Sequence, residues 1–184
     1  MRKLRYIISI PIAIILLTTL AGCFAAPKTP TIEYGEFPFR FVYELNGEIY
    51  IVEDTVVCEF RGIMTDLGFL KSRRWSEYLK NGRSGWITLL RDENVYSILT
   101  PDRLNTEISV ALRYGTAEYY MGDPTAQNMT HNKPQVWYLE SYDESDRVSY
   151  SQWPTAMSDE QLEKHFGIKV IEFTFSDPIK NEFK

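Results

Sequence analysis

Four carboxylates within seven residues, Glu140, Asp143, Glu144 and Asp146, and the histidine of Thr130-His131-Asn132 come nearest to a reactive constellation in this sequence. Clustered carboxylate oxygens suit Ca²⁺. The run lacks the Asp-x-Asp-x-Asp-Gly spacing of a calcium loop, however, and reads first as an exposed acidic loop. His131 can act as a general base only with a nucleophile and an orienting acid beside it. An enzyme reading, a hydrolase built in the 125–151 region, therefore requires His131, Asp143 and Glu144 to converge in one pocket. The chain has no Gly-rich phosphate loop, no His-Glu-x-x-His, no Gly-x-Ser-x-Gly and no Ser-x-x-Lys. With only His131 and His165 present, a histidine-rich metal site is excluded, and no cofactor and no catalytic residue is assigned. His165 falls near the C-terminus of an expected helix, where its partial charge suits the helix dipole.

The sharper chemistry is acylation of a thiol. Arg2, Lys3 and Arg5 precede an uncharged apolar run from Ile7 to Leu20, which is followed by Ala21, Gly22 and Cys23. Positive charge followed by a short apolar stretch is the layout of a signal peptide. The run is short of the roughly 20 apolar residues that a permanent span needs, and Pro11 weakens it further as a helix. Leu20-Ala21-Gly22-Cys23 resembles the lipobox of bacterial lipoproteins. That resemblance implies diacylglycerol on the Cys23 sulfur, cleavage before Cys23 with Leu20, Ala21 and Gly22 read by the signal peptidase, and a domain held on the outer face of the cell membrane. Two acyl chains give a stable anchor where one is marginal. An ordinary secreted protein is the alternative. Phe37-Pro38-Phe39-Arg40 and Gly167-Ile168-Lys169-Val170-Ile171-Glu172-Phe173 are similar to the opening and ending of small uncharacterised lipoproteins of Gram-positive bacteria, a resemblance that brings no substrate or catalytic residue.

Losing Arg2, Lys3 and Arg5 with the signal would take the formal charge from −5 to −8. An acidic chain lacks the basic surface that a phosphate backbone needs, so no nucleic-acid partner is expected. With Cys23 used for lipid, Cys58 has no disulfide partner. In Val56-Val57-Cys58-Glu59-Phe60 it reads as a small buried hydrophobe. Candidate binding groups are Trp153, a ring in a polar stretch beside Pro154, and Arg73 and Arg74, which lie among Lys71, Lys80 and Arg83. The basic group could meet anionic lipid or wall polymer or simply solvate a helix face. Exposed rings could meet a glycan or another envelope protein.

Residues 1–22 are thus read as signal peptide, 23–36 as the lipidated cysteine and a short proline-stiffened linker, and 37–184 as one globular domain. Phe37, Phe39, Phe41, Tyr43 and Leu45 alternate with more polar residues, the period of a half-buried strand. Asn46-Gly47 supplies a type I′ hairpin turn, which sets Tyr50 across from Tyr43 and Val52 across from Phe41. Ile49, Ile51 and Val42 then share the other face, which something should cover. A bulge or a bend is expected at Glu53-Asp54-Thr55, before Val56, Cys58 and Phe60. Trp75, Tyr78 and Leu79 suggest a helix over 72–80. Strands are expected at 86–90, 95–99, 106–114, 117–121 and 136–139, with loops over 125–134 and 141–151. Ser158, Gln161 and Gly167 bound a capped helix, and a last strand ends at Asp177-Pro178. These elements predict a β-dominated α+β domain with a largely antiparallel sheet and one or two helices on it.

Overall fold

The computed structural model describes residues 27–66, 70–82, 86–104, 106–129, 132–144, 147–153 and 155–184. The strands are β1 (Tyr34–Leu45), β2 (Glu48–Asp66), β3 (Leu70–Leu79), β4 (Ile87–Val95), β5 (Thr106–Arg113), β6 (Gln135–Glu144), β7 (Arg147–Gln152) and β8 (Ile168–Phe175). They form two antiparallel four-stranded sheets, ordered β3-β2-β1-β8 and β4-β5-β6-β7. The helices are α1 (Ala117–Tyr120) and α2 (Asp159–Phe166), with a 3-10 turn at Pro124–Asn128. The fold is thus β-dominated.

The opening hairpin forms because Asn46 and Gly47 both take positive φ, 55° and 82°, as a type I′ turn requires. The register follows: Tyr43 faces Tyr50 and Phe41 faces Val52. Odd residues of β1 point inward, and Phe37, Phe39, Phe41 and Tyr43 are all buried. They share one core with Ile108, Val110 and Leu112 of β5 and with Val136 and Tyr138 of β6. The Tyr43 hydroxyl crosses between the sheets to donate to the Leu89 carbonyl at 3.1 Å. The C-terminal helix has the expected capping box between Ser158 and Gln161 and ends on Gly167 at φ 66°.

Several expectations are overturned. Pairing of β1 with β2 runs unbroken from Tyr34↔Glu59 to Leu45↔Glu48, so there is no bulge at 53–55. The irregularities lie between Phe60 and Ile63 on β2 and opposite Val42/Tyr43 on β8. Residues 72–80 are not helical, because β3 pairs along β2. Residues 117–121 are not a strand, since the Thr116 hydroxyl caps α1 by accepting the Tyr119 N–H. Residues 96–99 lie outside the strands, and 141–144 and 147–152 belong to β6 and β7 rather than to a loop. Helix α2 places Leu162 in the shared core and does not cover Ile49 and Ile51, which stay exposed. The described end of the expected linker is paired with the C-terminal residues. Thr29 and Lys184 exchange two backbone bonds of 2.9 Å, and the Thr31 N–H donates to Glu182 at 2.8 Å, so the two ends of the described chain are zipped together.

Candidate functional site

Two buried carboxylates dominate the interior electrostatics. Asp123 sits after α1 with its side chain fully enclosed. It accepts from Arg73 Nε at 2.5 Å and Nη2 at 2.6 Å, from Trp75 Nε1 at 2.9 Å, and from the Thr125 N–H at 2.9 Å and hydroxyl at 2.7 Å. Burial raises its pKa, but Arg73, Thr125 and Trp75 together outweigh that and hold it well below the usual carboxylate range. The Arg73 guanidinium also donates to the Lys28 carbonyl at 3.2 Å and lies over the Phe183 ring. This one ion pair ties β3, the α1 connection and both chain ends together.

Glu140 is the counterpart in the second sheet. It faces inward opposite Ile108 and accepts from Tyr138 Oη at 2.5 Å, Ser97 Oγ at 2.6 Å and the N–H groups of Ile98 and Leu99 at 2.7 and 3.1 Å. Burial pushes its pKa up, yet the donors bring the net below the ordinary value. Both acids are therefore ionised at neutral pH with their oxygens taken up by donors. Neither is placed to exchange a proton with a substrate, and the chemistry left to them is structural. A third acid, half-buried Glu77, is shifted upward, chiefly by burial and then by nearby Glu118.

The candidate residues read from sequence are dispersed. Arg73 is interior and spent on Asp123, whereas Arg74 is exposed. Lys80 pairs with Glu36 at 2.7 Å. Trp153 is not an open ring: it is half-buried and packs edge-on against Tyr138 and beside His165. Asp143 and Glu144 end β6, while Met129 and Asn132, which flank His131, lie beyond the Gln135 end. Eight residues of strand, roughly 26 Å at 3.3 Å each, separate Gln135 from Asp143. Asp143 therefore lies at the far end of β6 from Asn132. Cys58 is buried, and burial, with Glu77 and Glu118, pushes its thiol pKa far up, leaving it unreactive. Leu20, Ala21, Gly22, Cys23, Arg83, His131, Asp146 and Pro154 lie outside the described residues. Among the described residues, no group of three His, Cys, Asp or Glu is placed to hold a metal ion, and no helix is long and apolar enough to cross a membrane.

What the first sheet does present is an open outer face. A shallow groove of about 630 Å³ crosses it, lined among others by Arg40, Glu53, Lys80, Thr174 and Phe175. Arg40 bridges Glu53 on one side and Glu172 on the other. Beyond the groove, toward the Asn46-Gly47 turn, Ile49 and Ile51 are 64% and 56% exposed, and Ile171 is 50% exposed. Aliphatic groups are poorly hydrated, and a cluster of them on a sheet face marks a contact surface more often than an isolated one does. The two-faced apolar pattern of the hairpin was its signal in the sequence, although that pattern alone suggests a cover from within the chain. No protein-family model, curated protein or solved structure matches the chain.

Proposed function

We propose that this chain is a lipid-anchored, extracytoplasmic binding module of the cell envelope, without a catalytic role of its own. The observation that carries the reading is Leu20-Ala21-Gly22-Cys23 at the end of an uncharged run preceded by Arg2, Lys3 and Arg5. The geometry agrees with a short tether. Lys28 is held by Arg73, and the five residues from Cys23 to Lys28 span under about 20 Å even when extended. Lipid on Cys23 would thus keep the zipped end of the domain at the headgroups and turn the Asn46-Gly47 end away from them. We read the two sheets with α2 set in their common core as a β-rich variant of the α+β class, forming one domain.

Binding is favoured over hydrolysis because Asp123 and Glu140 are occupied by donors and Asp143 stands at the far end of β6 from Asn132. The exposed isoleucines provide the contact surface, with another envelope protein as the partner that fits them best.

The test is intact mass and membrane fractionation of natively expressed protein beside a Cys23→Ala variant. The wild type is expected to begin at Cys23, gain the mass of a diacylglycerol and sediment with membranes, while the variant stays soluble. Unmodified, soluble wild type would overturn the anchor.

A further inference from the structure

Strand β2 is 19 residues long, but its two neighbours do not cover it equally. β1 pairs with Glu48–Glu59, whereas β3 pairs only from Val56 onward. Among the described residues, the stretch from Ile49 to Asp54 therefore has a strand on one side only. In an antiparallel strand the N–H and C=O of a residue point to the same side, and the side alternates along the chain. Two bonds fix which is which. The Thr55 carbonyl accepts from the Lys80 N–H at 2.9 Å on the β3 side, and the Phe60 N–H donates to Glu33 at 2.8 Å on the β1 side. Odd residues thus aim their backbone away from β1. Ile49, Ile51 and Glu53 present three N–H and three C=O groups in a row, and among the described residues no backbone group bonds to them.

From this edge we infer that β2 accepts an added antiparallel strand over Ile49–Glu53, supplied by an extended, basic and aliphatic segment of another protein. This deepens the binding-module reading by naming its surface and the kind of partner. Open edges pair readily when they are long and apolar, and a strand added here gains backbone bonds for affinity and side-chain contacts for specificity. The side chains along this edge are aliphatic on the outer face, at Ile49 and Ile51, and aromatic on the other, at half-exposed Tyr50. The charge is one-sided. Glu48 to Thr55 contains three acids, Glu48, Glu53 and Asp54, and no base, and among the described residues only Glu53 has a cation, Arg40, against it. A segment with Val or Ile opposite Ile49 and Ile51, and Lys or Arg flanking them, complements both features. A second copy fits less well, since antiparallel pairing about Ile51 would set Glu48 against Asp54.

The test uses the full chain and three synthetic peptides: alternating Lys and Val, the same with Glu for Lys, and the Lys–Val peptide N-methylated at alternate residues. The readout is amide exchange by NMR. The Lys–Val peptide is expected to slow exchange at Ile49, Ile51 and Glu53 at least tenfold at saturation, with the other two peptides inert. Ile51→Pro removes an N–H that β1 does not use and is tolerable at an edge. It should keep the thermal midpoint near that of wild type and weaken peptide binding about tenfold. Should Ile51→Pro unfold the chain, Ile49→Thr with Ile51→Thr is expected to weaken binding in its place.

Equal binding of the N-methylated peptide, protection elsewhere, or no protection would overturn strand addition. Protection that grows with protein concentration and without peptide would assign the edge to a second copy instead. The peptide experiment does not depend on lipid, so a soluble, unmodified protein that still binds would fail the anchor reading alone.

Discussion

Replacing Asp123 with Asn tests the electrostatic centre of the fold directly. The substitution keeps the shape of the side chain and removes its charge. All five hydrogen bonds to Asp123 come from donors: two from Arg73, one from Trp75 and two from Thr125. An amide turned either way therefore sets its NH₂ against at least one of them, and the guanidinium of Arg73, whose side chain is only 10% exposed, is left without its anion. Breaking a buried pair in this way costs about 3–5 kcal/mol. For a domain of this size that is roughly 6–20 °C in thermal midpoint, at about 2–4 °C per kcal/mol.

The pH dependence has a definite sign. A carboxylate whose folded pKa is depressed adds stability above its unfolded pKa, about 3.9, and loses it as the pH falls toward the folded value. The gap between wild type and Asp123→Asn, followed by circular dichroism melts from pH 7 downward, should be widest near neutrality and close below about pH 4. A variant melting within about 2 °C of wild type at pH 7, or a gap independent of pH, would refute the claim that this ion pair holds the two chain ends to β3.

Glu140→Gln should cost about 1–3 kcal/mol by leaving a donor unsatisfied among Tyr138, Ser97, Ile98 and Leu99; chemical denaturation measures the loss, and amide exchange should quicken at Ile98 and Leu99 in particular. Two glycines with nearly the same φ give an internal comparison. Gly167 at +66° faces open space, so Gly167→Ala should cost about 1 kcal/mol of left-handed strain. Gly122 at +62° would add a collision between the new methyl and the Ile179 carbonyl oxygen. Gly122→Ala should lose at least twice as much in the same assay; equal losses would mean the C-terminal tail yields freely.

The parts legible in the sequence are those set by neighbours along the chain. Asn46-Gly47 and the alternation around it fix a hairpin and its register, and Ser158, Gln161 and Gly167 bound a helix, because turn and cap chemistry acts within a few residues. β3 hid for a physical reason. Its inward positions are Trp75, Glu77 and Leu79, and a half-buried glutamate breaks the alternation, leaving Trp75, Tyr78 and Leu79 to mimic a helical stripe. Tyr119-Tyr120 looks β-like by composition, yet the Thr116 cap and the positive φ of Gly122 turn it into a short helix. β7 lies at the edge of its sheet, and exposed Val148 and Tyr150 among polar neighbours read as loop. The Arg73–Asp123 pair joins residues fifty positions apart, and a basic run read locally gives no hint that one of its members faces inward. The open edge of β2 needed the length of β3, which only the pairing reveals.

The position of β1 between β2 and β8 also bears on mechanics. Tension arriving through the chain before Thr29 first meets the paired ends at Lys184 and then runs along the axis of β1. The ladders on both sides of β1 hold it over Tyr34–Leu45 against β2 and over Phe39–Leu45 against β8. Their bonds lie across the direction of pull, so they are loaded in shear and must give way together rather than unzip one by one. A pull between the N-terminal end and a contact on Ile49 or Ile51 would stress the part of the molecule best built to bear it. By contrast, β3 and β7, which stand at the ends of the two strand orders among the described residues, would peel from their sheets under a much smaller load.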